Sequence, residues 1–113
     1  MRMIFALICM LLPISAQAQQ AWGDEGGCTR VAGNVATTDM VFVLWPDRIE
    51  RHESTCRIVG IEGDLATRAV IETECSGEGE TWIDAYGMTP VGDNIAIWPV
   101  DAPDFITELR LCE

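Results

Sequence analysis

The sequence predicts an all-β fold: a small antiparallel meander of about seven or eight short strands that closes into a barrel, or packs as a sandwich, stapled by two disulfides. Three observations lead there. Short β-branched and aromatic runs recur between turn signals every 8 to 12 residues. No stretch keeps a 3.6-residue apolar period over three turns. Cys28, Cys56, Cys75 and Cys112 are spread through a short chain, the usual mark of a disulfide frame.

The first eighteen residues read as a cleaved signal peptide. Arg2 supplies a positive start, residues 4–12 an apolar run, and Pro13 ends that run. Ala16-Gln17-Ala18 then places small residues where a signal peptidase needs them. The apolar run is shorter than the roughly 20 residues that span a bilayer, so no stable membrane anchor is expected after cleavage. Cys9 leaves with the leader, because Ala6-Leu7-Ile8 lacks the small residue expected beside a lipidated cysteine. Export implies a periplasmic or secreted protein in an oxidising compartment.

The remaining 95 residues suit one domain, read as a flexible acidic segment at 19–27 and a disulfide-stapled β domain at 28–113. Without Arg2 the chain has six arginines, no lysine and eighteen acids, a net charge of −12. Nucleic acid and anionic lipid would be repelled by that charge, whereas a cationic protein would be attracted.

Residues 29–32 are assigned a first short strand, and residues 40–45 (MVFVLW) a strand buried on both faces before Pro46-Asp47. Ile49, flanked by charge, sits in a half-exposed strand over 48–53. Residues 55–61 and 69–75 are strand-like around a turn at Glu62-Gly63-Asp64. If they pair antiparallel, position i opposes 131 − i and Cys56 faces Cys75. Cys28 and Cys112 are then left to clasp the two ends. Ser76-Gly77-Glu78-Gly79-Glu80 reads as a turn, 81–86 as a strand closed by Gly87, and 95–100 as another broken by Pro99. In the last segment Phe105, Thr107, Leu109 and Leu111 share one strand face, although a short helix over 104–111 also fits.

No candidate site carries a catalytic motif. His52 is the single histidine, and neither Ser54 nor Ser76 stands in a nucleophile elbow. The cysteines lack the C-x-x-C spacing of a zinc or redox site, and the acidic cluster Glu72, Glu74, Glu78 and Glu80 lacks the order of a calcium loop. No metal, no cofactor and no enzymatic activity are therefore expected. Trp45-Pro46 and Trp98-Pro99 echo each other at strand ends, and two such turns at one barrel end would make an aromatic mouth for a ligand or peptide. The expected function is a non-enzymatic binding module for a protein or small ligand, through Trp45 and Trp98 or through the loop of Ser76, Gly77, Glu78 and Glu80.

In size, export and end-to-end cysteine clasp the chain resembles small periplasmic inhibitors of lysozyme, which insert a Ser-Gly loop with a nearby Tyr into their target. Here Ser76-Gly77 is followed by Glu78, and the next aromatic is Trp82, so the resemblance is one of layout. It implies an alternative function: an acidic inhibitor of a basic extracytoplasmic hydrolase such as lysozyme, steered onto its target by charge.

Overall fold

A computed structural model describes residues 20–113; the leader expected at 1–18 lies outside the described residues. The strands are β1 (Trp22–Gly23), β2 (Phe42–Leu44), β3 (Arg48–Arg51), β4 (Thr55–Asp64), β5 (Arg68–Gly77), β6 (Glu80–Val91), β7 (Asn94–Pro99) and β8 (Thr107–Leu111). Each pairs antiparallel with the next, and β8 returns to β1, so the meander closes into a barrel in simple chain order. Both expected disulfides form, Cys56 with Cys75 as strand geometry paired them and Cys28 with Cys112 as the remaining pair.

The Cys56–Cys75 pair sets the register of the β4–β5 hairpin. Cys56 opposes Cys75 and Ile58 opposes Thr73, as the 131 − i relation requires. Val59 then bulges, and Gly60 pairs with Glu72. Alternation along β5 sends Ala69, Ile71, Thr73 and Cys75 inward, while Glu72, Glu74 and Ser76 face water. The same parity from the other strands adds Phe42, Leu44, Ile49, Tyr86, Met88, Ile97 and Leu109 to one continuous core. An eight-stranded barrel is about wide enough for side chains to fill.

β2 is buried on both faces, as its unbroken apolar run predicts. Phe42 and Leu44 enter the barrel, whereas Val41 and Val43 form a second cluster with Ala21 that Val31 and Ala36 cover from outside.

The chain departs from the sequence reading in four places. Residues 19–27 are not merely a lead-in: Trp22–Gly23 is the strand that closes the barrel, pairing with Leu44 and Leu111. Instead of a strand at 29–32, the chain forms a short helix, α1 (Glu25–Val31), capped by the Asp24 carboxylate, which accepts from Gly27 N at 2.7 Å. Gly26 and Gly27 hide that helix, since glycine is a poor helix former. Close packing requires them: a Cβ on Gly27 would lie 2.2 Å from the Phe42 carbonyl oxygen. The β4–β5 turn falls later than Glu62-Gly63-Asp64, after Asp64, because Gly63 takes φ 98° against the Arg68 carbonyl and lets the ladder continue. Finally, Gly87 does not end β6. Its missing side chain leaves room for the Trp98 ring, with which it pairs, and the strand runs on to Val91.

The alternative helix over 104–111 is absent. Phe105 bonds back to Ala102 in a turn, and β8 begins at Thr107 with Leu109 fully buried.

The two bridges close loops of different length, with sequence separations of 84 and 19 residues. In the chain-entropy account the Cys28–Cys112 clasp stabilises by about 4 to 5 kcal/mol and the Cys56–Cys75 bridge by about 3 kcal/mol. Urea unfolding should accordingly show a larger loss for Cys28→Ala/Cys112→Ala than for Cys56→Ala/Cys75→Ala. The reverse order would place the clasp's role elsewhere than in the unfolded chain.

Candidate functional site

Because the meander alternates direction, its connections fall at two ends. The turns β3–β4, β5–β6 and β7–β8 lie at one end, with the segment that leads into β2. The turns β2–β3, β4–β5 and β6–β7 lie at the other, beside the start of β1. The two mouths differ in chemistry.

The first mouth is acidic. A cavity of about 430 Å³ opens there, and five of its lining residues are carboxylates: Asp39, Glu53, Glu78, Glu80 and Asp84. Inward parity on β6 brings Trp82, Asp84 and Tyr86 into it from one strand. Trp82 Nε1 donates to Asp84 Oδ2 at 2.9 Å, which fixes the ring beside the carboxylate. Cys56 of the Cys56–Cys75 bridge lines the cavity as well, and the two bridge sulfurs lie with an Asp84 oxygen inside 4.8 Å. Those sulfurs are bonded to each other, so this trio offers no thiolate to a metal.

Arg51 and His52 also line the mouth, and both side chains have partners there. Arg51 Nε donates to the Val41 carbonyl at 3.2 Å, its Nη1 reaches the Tyr86 hydroxyl at 3.4 Å, and its guanidinium lies 4.6 Å from the Phe42 ring centroid. It forms a lid between core and mouth. Burial holds the Tyr86 hydroxyl above its ordinary value, and the Arg51 charge works the other way. His52 Nε2 sits 3.4 Å from Asp39 and 3.6 Å from Glu53, on a side chain 42% exposed. Among the described residues no serine hydroxyl bonds to it, so the triad arrangement is not assembled. Arg30, in the last turn of α1, donates to the carbonyls of Arg51 and His52 at 3.0 and 3.1 Å and ties this turn to the helix.

The β5–β6 turn carries the most strained residue at the mouth. Glu78 has φ 51° and Gly79 φ 79°, the two positive angles of a tight two-residue hairpin turn that favours Asn-Gly. Glutamate in the left-handed region is disfavoured by its Cβ. Moreover, the Glu53 carboxylate raises the Glu78 carboxyl above its ordinary value, first by favouring a hydrogen bond to the protonated acid and then by its charge; His52 opposes the shift.

The second mouth is apolar. A cavity of about 240 Å³ lies over Leu44, Ile71 and Met88, with Trp22, Trp45, Ile61 and Leu65 around it. Arg48 stacks on the Trp45 ring at 4.7 Å, while Asp47 and Glu50 satisfy its guanidinium and raise its pKa, Glu50 first. The Trp45 indole N–H is buried with no acceptor among the described residues, so packing rather than a hydrogen bond holds the ring.

The predicted site residues are thus divided. Gly77, Glu78 and Glu80 line the acidic mouth, and Ser76 stands on the outer face of the same hairpin, exposed. Trp45 rims the apolar mouth. Trp98 belongs to neither: it lies on the outer wall over Gly87, with Arg68 5.1 Å from its ring. The expected aromatic pair at one end fails for a topological reason, since β2 and β7 run in opposite directions and end at opposite mouths. The other tryptophan lining the apolar mouth with Trp45 is Trp22, in a segment read as a lead-in. Trp82, Asp84 and Tyr86 were also missed, although extending inward parity from Cys75 through its pair Trp82 finds them.

Comparison with known families, with curated proteins and with solved structures finds no match to this chain. Among the described residues no helix is long and apolar enough to cross a membrane. The two disulfides are compatible with an oxidising, extracytoplasmic location.

Two substitutions test the turn. Glu78→Asn should raise the melting temperature, by suiting the left-handed position and ending the carboxylate repulsion. Glu78→Gln removes only the repulsion. Since the raised pKa means that folding favours the protonated acid, this penalty is present above the raised value and relieved as pH falls through it. The gain from Glu78→Gln should therefore be largest at neutral pH and shrink on acidification. A gain that grows on acidification contradicts the pairing with Glu53.

Proposed function

We propose that this protein is a non-enzymatic binding module of the periplasm or cell exterior that docks its acidic mouth onto a cationic protein. The observation that carries the reading is the convergence of Asp39, Glu53, Glu78, Glu80 and Asp84 on one concave mouth, where Arg51, its one arginine, is already engaged. A lysine or arginine side chain entering there gains carboxylate acceptors at the rim, Asp84 deeper in, and the Trp82 ring for a cation–π contact. It also relieves the repulsion between Glu53 and Glu78.

Apolar surface accompanies the charge. Met40, Val100, Phe105 and Ile106 are exposed on the connections at this same end, which suits a protein surface better than a free small cation. The net charge of −12 after leader removal would steer such a partner from a distance. A basic hydrolase such as lysozyme is the narrower form of the same proposal: the β5–β6 turn, with Glu78 at its tip, would block the cleft and make the protein an inhibitor.

The test uses the oxidised domain without its leader, immobilised and exposed to extracytoplasmic extract and to purified lysozyme as a defined basic protein. Capture of a basic protein should be strong at low salt and fall steeply as salt rises. The triple variant Glu53→Gln/Glu78→Gln/Glu80→Gln should weaken it at least tenfold. Capture that ignores both salt and these substitutions, or no capture of any basic protein, overturns the proposal.

A further inference from the structure

We infer that the apolar mouth is a second, separate binding site, for a small uncharged hydrophobic molecule of one or two rings. This inference does not rest on the acidic mouth, which lies at the opposite end of the barrel.

The size of the cavity sets the class of occupant. Its volume is about 240 Å³. A dry apolar cavity of roughly 150 Å³ holds one benzene ring, so this one takes one or two rings and excludes a helix or a strand. The floor is preformed, because Leu44, Ile71 and Met88 are core residues packed from below. A ligand would therefore find the site without repacking the barrel.

The rim argues that the opening is more than an unfilled barrel end. Ile61 and Leu65 leave 45% and 48% of their surface in water while facing the cavity. Ile61 pairs with Ile71 and points to the same side, so the ladder directs it over the mouth. Exposed apolar side chains around a concave apolar floor gain burial only when something fills the space between them.

Charge sets the head group. Arg48, the cation nearest Trp45, is neutralised by Asp47 and Glu50, and Glu62 and Asp64 belong to the β4 segment next to the rim. The domain without its leader carries a net charge of −12 besides, so a carboxylate or sulfonate would be repelled. Fatty acids and anionic dyes are therefore poor occupants, and an uncharged ring system is the fitting one.

The probes are 2-naphthol and its anionic counterpart 2-naphthalenesulfonate, titrated into the oxidised domain and followed by methyl NMR. For 2-naphthol the expected result is a single site with shifts confined to Leu44, Ile61, Leu65, Ile71 and Met88, little changed by salt or by Glu53→Gln/Glu78→Gln/Glu80→Gln. The sulfonate should bind at least tenfold more weakly. Ile61→Gln, at a partly exposed rim position, should weaken 2-naphthol at least tenfold while the melting temperature stays within a few degrees. Leu65→Gln serves the same purpose in the turn, should Ile61→Gln disturb the hairpin. Absent or scattered shifts, equal binding of the sulfonate, or unchanged binding in both variants would overturn the inference. So would concentration-dependent dimerisation abolished by Leu65→Gln, which would give the cavity to a second copy of the chain.

Discussion

The barrel depends on a narrow seam. β1 contributes only two residues, Trp22 and Gly23, yet these join β2 on one side and β8 on the other. Two backbone pairs cannot hold a barrel shut by themselves, and the chain concentrates its local devices there. The Cys28–Cys112 bridge crosses the seam with its Cα atoms 5.2 Å apart. Cys112 N donates to the Ala21 carbonyl, and the Asp24 carboxylate accepts from both Gly27 N and Phe42 N. One aspartate thus caps α1 and pins it to β2. Opening the seam would free the edges of β2 and β8 and remove both mouths together.

Closure also explains why two unlike chemistries coexist in so small a fold. With all edges paired, the polypeptide reaches a partner mainly through its ends and outer wall. Inward positions near the acidic end hold the disulfide, Thr73, Asp84 and Tyr86, a polar arrangement in which Thr73 donates to the Asp84 carbonyl at 2.9 Å. Inward positions near the other end are aliphatic. Between them Phe42 and Tyr86 meet edge to face at 5.7 Å, under the Arg51 lid. The core itself separates a charged mouth from an apolar one.

Much of this was legible in the sequence, and the reasons are physical. Strand alternation in AVIETEC and the Cys56/Cys75 spacing fixed the register of the central hairpin, because a one-residue slip would invert every side chain. The clasp followed by elimination once that pair was set. What stayed hidden depended on contacts distant in sequence. A two-residue strand has no period to detect, and a helix containing two glycines has no propensity to advertise. The acidic hairpin tip was visible as Ser76 to Glu80, but its partners Asp39 and Glu53 come from other connections. Trp98 misled for a related reason, since strand direction within the barrel decides which mouth a Trp-Pro pair reaches.

The account's central claim is that the protein meets its protein partner at the acidic end alone. Hydrogen exchange of the oxidised domain, free and saturated with a captured basic protein, tests that claim most directly. Slowed exchange confined to residues 52–54 and 77–84 is the predicted result. Slowed exchange centred on residues 61–66 and 92–95, with the acidic hairpin unchanged, would contradict it.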